Sequence, residues 1–459
     1  MLETILESKR AELSRARRER PLAAILAGLE ASDRDFEAAL GGRRAGLIFE
    51  HKRRSPSAGD LRPGTDPVAV ARAYAACADA ISVLTDAPFF GGSLTDLRRI
   101  RAAVELPVLR KDFVLDPYQV VEARAAGADA VLLMLSVLDD DGFRDCTDAA
   151  QEYGMGVLAE VHDLPELERA LRLDAPVIGI NSRDLRTLDV DLERVVQLAP
   201  RLPADRLVVA ESGICSREDL QALRGHVDAF LVGTSLMREP DLTAATRRLV
   251  FGEVKVCGLT RPEDARAAWK AGASWGGLVF ATGSLRRLEV DDARAVRGAS
   301  PLRWAGVFVN ETPQRIAEIA RLLSLDAVQL HGDESPRAVA ALSGALSCEV
   351  WKAERVRPGH ALPTLAQTGA DRLLLDGYRE GVRGGGGARF DWRGVARHPD
   401  RARIVLAGGL NAGNVARADA AGAGMLDVSS GVEERPGIKC HAELTGFFDA
   451  LRVQGRARS

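Results

Sequence analysis

Short runs of Val, Ile and Leu alternate along the whole chain with longer Ala, Arg, Glu and Leu stretches of helical periodicity. Each short run has the length of a buried strand, and most helical stretches end on Ala-Gly-Ala or a similar break. Strands that alternate with helices indicate parallel βαβ units, because a parallel connection needs a crossover that a helix supplies. The pattern therefore predicts an α/β protein.

The strand-like runs form two sets of eight, and the count restarts near Phe251. Eight strand-helix units in roughly 200–250 residues match the size of a (β/α)8 barrel. We therefore predict two consecutive TIM barrels, residues 1–252 and 253–459, with residues 1–44 as an N-terminal helical extension. The runs are AGLIFEHK, AISVLT, PVLRKDF, AVLLMLSVL, GVLAEV, VIGINSR, LVVAESG and AFLVGTS, then VKVCGLT, GGLVF, RWAGVFV, AVQLHG, EVWKAE, RLLLDG, RIVLAGG and MLDVSSG.

Composition narrows the classes of function. The net charge of −3 comes from interspersed acids and bases, which gives no electrostatic footprint for nucleic acid or an anionic membrane. No apolar run approaches the roughly 18 residues that span a bilayer, and the N-terminus lacks the apolar stretch of a secretory signal. The six cysteines are scattered without CxxC pairs, so reduced thiols are expected. We expect a cytoplasmic monomer that acts on small molecules.

Lysine is rare in this chain, which makes each one informative. An ammonium can lose its proton when it is desolvated, whereas a guanidinium effectively cannot. Four lysines lie in or just after apolar runs, a placement that surface charge does not explain: Lys52, Lys111, Lys255 and Lys352.

Glu50 and Lys52 end the first strand-like run, within LIFEHKRRSPSAG. Side chains alternate along a strand, so these two share a face with Ile48, roughly 7 Å apart along the strand axis. For one strand, a solvated ion pair explains them as well as a catalytic site does. In a barrel, however, active sites lie at the carboxyl ends of strands, and inward charge is costly unless paired or functional. A catalytic mouth is predicted, and its other polar residues are Lys111, Glu160, Asn181, Arg183, Glu211 and Ser212.

The motifs at these strand ends resemble two enzyme families. EHKRRSPSAG resembles the Glu-x-Lys-x-x-Ser-Pro-Ser-x-Gly signature of indole-3-glycerol-phosphate synthase, and RKDF, AEV, GINSRDL, ESGI and FLVGTSLM follow in that family's order. The second half resembles phosphoribosylanthranilate isomerase through KVCGLT, QLHGDE, LLLDG, VLAGGLNAGNV and LDVSSGVEERPGIK. The two matches cover nearly the entire chain. The resemblance implies a bifunctional enzyme of tryptophan biosynthesis, with phosphorylated anthranilate-derived substrates and no cofactor.

For the first half, the resemblance implies ring closure of 1-(2-carboxyphenylamino)-1-deoxyribulose 5-phosphate to indole-3-glycerol phosphate, with loss of carbon dioxide and water. Lys111 is similar to that family's general acid and Glu160 to its general base. Lys52, held by Glu50, supplies a second ammonium whose share of the proton transfers stays open. No metal is expected, because the lysines provide the electrophilic charge. The other implied contacts are Asn181 and Glu211, which orient the reacting groups, and Phe113, Arg183 and Ser212, which bind substrate.

Phosphate is expected where backbone N–H groups and hydroxyls converge beside a helix N-terminus. Ordinary turn chemistry is an alternative explanation for the glycines involved. The glycine run 384–387 is either a phosphate loop or a flexible connector. The expected phosphate-binding residues are Ser55, Gly213, Gly233 and Thr234 in the first half, and Gly408, Gly409, Ser429 and Ser430 in the second.

For the second half, the resemblance implies the Amadori rearrangement of N-(5-phosphoribosyl)anthranilate. Cys257 looks like the family's base and Asp376 like its acid. A lone cysteine is more often a small core residue, but Cys257 stands at a strand end beside Lys255, and a thiolate needs positive potential nearby. Arg286 is expected to bind the anthranilate carboxylate. His331 is either a substrate contact or a satisfied polar residue.

Two positions depart from the isomerase pattern. Leu285 replaces the proline usual between Ser284 and Arg286, which puts the rigidity of that loop in question, and Cys440 replaces an acid after PGIK. Two alternative functions stay open. One barrel could be a non-catalytic scaffold, or the chain could be a phosphoribosyl isomerase of histidine synthesis, which would place paired aspartates at strand ends one and five.

Overall fold

The structure is a computed structural model that describes residues 1–184, 187–357, 360–377 and 390–457. The chain forms two compact units, one of Met1–Thr246 with Val453–Ser459, and one of Arg247–Arg452. Each unit contains a closed barrel of eight parallel strands, which confirms the predicted fold class. None of the helices in the described ranges is both long enough and apolar enough to cross a membrane.

In the first unit, each strand pairs with its sequence neighbours, and the first pairs with the eighth to close the barrel. Ile48 lies opposite Ala80 on one side and Leu231 on the other. All eight predicted strand-like runs contain a strand. The strands span Gly46–His51 (β1), Ala80–Leu84 (β2), Val108–Lys111 (β3), Ala130–Met134 (β4), Gly156–Val161 (β5), Val177–Asn181 (β6), Leu207–Glu211 (β7) and Ala229–Val232 (β8).

The second unit repeats this topology. Val256 lies opposite Gly276 on one side and Val428 on the other, which closes the barrel. A short antiparallel hairpin, Glu433–Arg435 with Ile438–Lys439, follows the last barrel strand. The barrel strands span Val254–Cys257 (β9), Trp275–Val279 (β10), Arg303–Phe308 (β11), Ala327–Leu330 (β12), Glu349–Val356 (β13), Arg372–Gly377 (β14), Ile404–Leu406 (β15) and Met425–Val428 (β16).

Many helices begin at a polar cap followed by proline. Asp116 accepts the backbone N–H of Tyr118 at 2.9 Å, and Pro117 occupies the first turn, where its missing N–H costs nothing. The helices that follow barrel strands span Pro67–Ala75, Ala87–Phe90, Leu94–Ala103, Pro117–Ala125, Asp140–Glu152, Leu164–Arg172, Glu193–Leu198, Arg217–Ala222, Thr234–Met237 and Leu242–Phe251, then Pro262–Ala271, Val290–Arg297, Pro313–Leu322, Pro336–Ala345, Leu365–Thr368, Val415–Asp419 and His441–Leu451.

The N-terminal extension is helical, as predicted, with helices at Leu2–Glu19 (α1), Leu22–Leu26 (α2) and Phe36–Leu40 (α3). Ile5 and Leu6 of α1 belong to the same buried apolar cluster as Ile48 and Leu158 inside the barrel. Burial of such side chains contributes about 1.5–3 kcal/mol each. The extension is therefore part of the core of the first unit rather than an appendage.

The end of the chain returns to the first unit. Ala45, which precedes β1, donates its backbone N–H to Val453 at 2.9 Å, and Arg456 donates its backbone N–H to Val227 at 2.9 Å. The Arg456 guanidinium also donates to the carbonyl of Leu202 at 3.0 Å. Val227 and Leu202 precede β8 and β7, so these last residues cover the amino-terminal end of the first barrel, opposite its polar strand ends.

Candidate active sites

The first barrel has a cavity of about 980 Å³ at the carboxyl ends of its strands. Glu211 is fully buried and reaches this site through its contact with Lys111. The other predicted residues of this barrel all line the cavity: Glu50, Lys52, Ser55, Lys111, Phe113, Glu160, Asn181, Arg183, Ser212, Gly213, Gly233 and Thr234.

The ammonium of Lys111, at the end of β3, contacts carboxylates from three other strands. Glu211 forms the shortest contact, while Glu160 lies 3.4 Å and Glu50 3.9 Å away. Burial alone would lower the pKa of Lys111, but these three carboxylates raise it above the ordinary lysine value. Burial, reinforced by Glu160 and Glu50, raises the pKa of Glu211 in spite of the Lys111 charge. Lys111 is therefore charged at neutral pH within a crowded acidic cluster.

Glu50 and Lys52 form an ion pair of 2.6 Å between Oε1 and Nζ. Burial would raise the pKa of Glu50, but the charges of Lys52 and Lys111 lower it below its ordinary value. A Cβ atom at Gly233 would lie 2.4 Å from Glu50 Oε1, closer than atoms can approach. The φ of Gly233, −135°, is open to other residues, so the backbone conformation does not require glycine there. The close approach of the Glu50 carboxylate does.

The carboxylate of Glu160 is held from two sides. Asn181 donates Nδ2 to Oε1 at 3.1 Å, and Lys111 lies 3.4 Å from Oε2. Burial would raise the pKa of Glu160, but Lys111 and the neighbouring His162 lower it below its ordinary value. Glu160 is therefore ionised and fixed in orientation.

The predicted phosphate end of this cavity contains an unusual turn. Ser212 and Gly213 both have positive φ, 66° and 79°, so ordinary turn chemistry accounts for part of the glycine requirement. Thr234 begins the short helix Thr234–Met237, and Ser55 accepts the backbone N–H of Ala58 at 3.2 Å. These groups line the cavity together.

The second barrel has a smaller cavity of about 110 Å³. Every residue predicted for this site lines it: Cys257, Arg286, His331, Asp376, Gly408, Gly409, Ser429 and Ser430.

Cys257, the last residue of β9, lies among buried charges. Lys439 donates Nζ to the Cys257 carbonyl at 2.6 Å, and Lys255 forms an ion pair with Asp427 at 2.9 Å. Burial raises the pKa of the Cys257 thiol, although Lys255 and Lys439 act in the opposite direction. The positive potential expected from the sequence is present, but it does not overcome desolvation.

Asp376, on β14, lines the cavity with most of its side chain buried. Burial and the nearby Asp427 carboxylate raise the pKa of Asp376 to about 6. A carboxyl with this pKa holds its proton over part of the neutral range, which is a property of general acids.

Arg286 forms a bidentate ion pair with Glu433, with Nε–Oε1 of 2.9 Å and Nη2–Oε2 of 2.6 Å. The Arg287 N–H bonds to the Ser284 carbonyl at 3.1 Å, which closes a turn with Leu285 at its second position. Proline is favoured at that position of a β-turn, and Leu285 is 78% exposed. The Arg286 guanidinium thus lines the cavity, and the Glu433 carboxylate fixes its position.

His331 is neutral and half-buried, and it lines the cavity of the second barrel. Burial and the charges of Lys255, Lys352 and Arg355 lower the pKa of His331 to about 3. Its ring contacts the amide of Gln329, so it is a satisfied polar residue that also lines the cavity. The glycine run 384–387 lies outside the described residues. Within those residues, no cluster of His, Cys, Asp and Glu could hold a metal ion.

Comparison with known proteins agrees with this geometry. A family model for indole-3-glycerol phosphate synthase matches residues 2–249, and one for N-(5'phosphoribosyl)anthranilate (PRA) isomerase matches residues 254–450. The tryptophan biosynthesis protein TrpCF of Vibrio cholerae is 45% identical over 454 residues, which are 98% of this chain and 96% of that protein. The chain belongs to the TrpCF family. It is a bifunctional enzyme of tryptophan biosynthesis, with a synthase barrel that is a lyase and an isomerase barrel.

A second relative agrees with this TrpCF assignment. TrpCF of Salmonella typhi is 43% identical over 455 residues, 99% of both chains. Among solved structures, phosphoribosyl anthranilate isomerase from Thermus thermophilus is 36% identical and covers 43% of this chain and 98% of its own, with a TM-score of 0.40. The family matches do not favour a non-catalytic barrel or a histidine-synthesis isomerase.

The synthase barrel contains buried polar residues that the sequence did not single out. Lys9 of α1 lies 2.8 Å from Asp112 and 3.1 Å from Asp86, and all three are buried. Asp112 directly follows Lys111. The burial of Lys9 could have been inferred from the sequence, because this rare lysine shares the apolar face of α1 with Ile5.

The isomerase barrel likewise has unpredicted charged residues. Asp427 of β16 lines the cavity, and Glu433 and Lys439 lie on the hairpin that follows, 2.8 Å apart. Lys439 is one of the rare lysines of this chain, and that rarity is the feature of the sequence that could have marked it as a site residue. By contrast, Cys440 caps the helix His441–Leu451 without a side-chain cap bond and does not line the cavity.

Proposed function

We propose that Lys111 and Glu160 perform the acid and base steps of the synthase barrel. Lys111 donates a proton to the carbonyl oxygen of 1-(2-carboxyphenylamino)-1-deoxyribulose 5-phosphate while the aromatic carbon attacks, and carbon dioxide leaves. The hydroxyl group that results takes up a second proton from a lysine ammonium and departs as water, while Glu160 accepts a ring proton. Lys52, paired with Glu50, supplies the second ammonium near the departing oxygen.

The observation that carries this assignment is the environment of Lys111. Its ammonium lies beside carboxylates from three other strands, so it stays charged at neutral pH although it is buried. Asn181 orients the base through a 3.1 Å hydrogen bond to Glu160, and Glu211 orients the acid. Acid and base thus lie close together in one cavity, as the chemistry requires.

The rest of the cavity is proposed to hold the substrate. Phe113 offers an aromatic surface for the anthranilate ring, and Arg183 offers a guanidinium for its carboxylate. Backbone N–H groups and hydroxyls at the positive-φ turn and the short helix after β8 suit a phosphate. The proposed phosphate-binding residues are Ser55, Gly213, Gly233 and Thr234, and Ser212 is proposed as a further substrate contact.

For the isomerase barrel, we propose that Asp376 protonates the furanose ring oxygen of N-(5-phosphoribosyl)anthranilate and that Cys257 removes the proton from the sugar C2. The raised pKa of Asp376, about 6, supports an acid that keeps its proton to higher pH than an ordinary aspartate does. Arg286, held by Glu433, binds the anthranilate carboxylate, and neutral His331 contacts substrate. The phosphate is held by Gly408, Gly409, Ser429 and Ser430.

We also propose that the protein is a cytoplasmic monomer, with synthase chemistry in residues 1–252 and isomerase chemistry in residues 253–459. Free cysteines at six positions fit a reducing compartment. Few large apolar side chains are exposed in the described ranges, which fits a monomer. Sedimentation velocity tests the oligomeric state.

The purified full-length chain, supplied with N-(5-phosphoribosyl)anthranilate, tests the assignment as a whole. We expect the deoxyribulose intermediate and then indole-3-glycerol phosphate to accumulate in that order. A chain that converts neither compound, although it is folded, would overturn the proposal.

A further inference from the structure

One histidine in the synthase barrel contacts the proposed base without lining the cavity. His162 follows the last residue of β5, and its Nε2 lies 3.3 Å from Oε1 of Glu160. Its side chain is 12% exposed, and the cavity wall does not include it. His162 is therefore placed to influence Glu160 and not to contact substrate.

The imidazole is anchored by a second carboxylate. Glu166 Oε2 lies 3.1 Å from His162 Nδ1 and also accepts the backbone N–H of His162 at 2.8 Å. The Glu166 backbone N–H in turn bonds to Asp163, the N-cap of the helix Leu164–Arg172, at 3.0 Å. The imidazole is thus held by Glu166 at Nδ1, while its buried Nε2 forms no hydrogen bond within the described residues and makes an ion-pair contact with the Glu160 carboxylate.

The charges around this chain of groups favour a protonated ring. Burial would lower the pKa of His162, but Glu160 and Glu166 raise it to about 10. On the other strands, Lys111 and Asn181 contact Glu160, and Glu50 and Glu211 act on it as like charges.

The positive charge of Lys111 is therefore shared among several carboxylates, since its ammonium also contacts Glu50 and Glu211. The imidazolium of His162 contacts the carboxylates of Glu160 and Glu166. It is a cation that Glu160 does not share with the rest of the catalytic cluster.

We propose that His162 is a positioning residue of the synthase, which holds the Glu160 carboxylate in its working orientation and keeps it ionised while Lys111 serves the other carboxylates. This proposal rests on the proposed role of Glu160 as general base. An ordinary surface ion pair between Glu166 and His162 would contribute nothing to catalysis. The proposal gives both residues a part in it.

Steady-state kinetics of His162→Gln in the full-length chain test the proposal. Removal of the cation makes Glu160 easier to protonate, so the acid limb of the kcat/KM profile moves to higher pH by about one unit, and kcat falls about tenfold or more. KM for the deoxyribulose phosphate changes less than about threefold, because His162 does not touch substrate. Glu166→Gln leaves the ring in place and shifts the limb in the same direction by less.

His226→Gln, on the amino-terminal side of β8, is the matched control and retains the parental profile. A folded His162→Gln chain with parental kcat and acid limb overturns the proposal, as does a loss of kcat with an unmoved limb, which marks a purely structural role. If His162→Gln does not fold, an unmoved limb in Glu166→Gln overturns the proposal in its place. Glu160→Gln tests the general-base role of Glu160 separately from the positioning role of His162. Retained synthase activity in that variant overturns the general-base assignment itself.

Discussion

The ammonium of Lys9 lies 2.8 Å from the carboxylate of Asp112, the residue that follows Lys111 in the sequence. Both side chains are fully buried, and Asp112 also accepts a hydrogen bond from Arg110 at 3.0 Å. Burial would raise the pKa of Asp112, but Arg110 and Lys9 lower it well below its usual range. The N-terminal helix is thereby attached to the strand end that carries the proposed general acid.

We predict that Lys9→Met destabilises the synthase barrel and reduces its activity. The substitution leaves Asp112 and Asp86 buried without their shared cation, and breaking a buried ion pair costs about 3–5 kcal/mol. Urea unfolding and synthase kinetics measure the two effects. Arg10→Met, on the exposed side of the same helix, is the matched control and should resemble the parent. Equal stability of Lys9→Met and Arg10→Met would remove this role from Lys9.

The sequence was sufficient to predict both barrels because each strand is a short apolar run and each crossover has helical periodicity. The polar strand ends were predictable for the same reason, since Glu50 and Lys111 interrupt apolar runs where a barrel places its active site. The role of Lys9 was not predictable in this way. Its partners Asp86 and Asp112 are far from it in sequence, and no local pattern specifies which carboxylates a helix will meet.

The pairing of Arg286 illustrates the same limit. The sequence predicts a guanidinium in the isomerase site, but Glu433, which holds it at 2.6 Å, lies on a hairpin beyond β16. Likewise, the sequence placed Lys255 beside Cys257, yet burial decides the direction of the thiol pKa, and burial is a tertiary property.

Arg286→Ala should lower isomerase kcat/KM by about 10- to 100-fold, because a hydrogen bond to a charged group contributes roughly 1.5–3 kcal/mol. Arg286→Lys should recover only part of this loss, since an ammonium cannot reproduce the bidentate geometry. Synthase kinetics in the same protein should be unchanged. Arg287→Ala, at the exposed neighbouring residue, serves as control. Parental isomerase kinetics in Arg286→Ala would place the substrate carboxylate elsewhere.

Asp376→Asn should abolish isomerase activity and yet stabilise the protein above about pH 6. The folded pKa of Asp376, about 6, exceeds the ordinary aspartate value, so the folded state binds this proton more tightly than the unfolded chain. Stability contributed by the protonated form is therefore lost as pH rises from about 4 to about 6. The gain in Asp376→Asn should reach at most about 3 kcal/mol at pH 8 and vanish near pH 4.

Urea unfolding at both pH values measures this difference. Asp291→Asn, at a side chain that is 92% exposed, should show no such pH dependence. A stability difference between Asp376→Asn and the parent that is the same at pH 4 and pH 8 would contradict the raised pKa.

Removal of residues 453–459 should lower the thermal stability of the synthase barrel. Within the described residues, three backbone hydrogen bonds join Val453, Gly455 and Arg456 to the barrel, and each contributes about 0.5–1.5 kcal/mol. Isomerase kcat/KM in the truncated protein is the internal control and should not change. Residues 1–252 expressed alone lack the same bonds and should unfold at a similarly reduced temperature. Unaltered unfolding of the truncated chain would show that the returning segment adds nothing to the barrel.

The two acid and base sites of the chain are expected to act independently, and paired single substitutions distinguish them. Lys111→Met and Cys257→Ala are each assayed with N-(5-phosphoribosyl)anthranilate and with the deoxyribulose phosphate, after circular dichroism has established that both variants are folded. We predict that Lys111→Met loses synthase activity and keeps isomerase kcat/KM, while Cys257→Ala does the reverse. A folded variant in which a single substitution silences both reactions would contradict the existence of two independent sites.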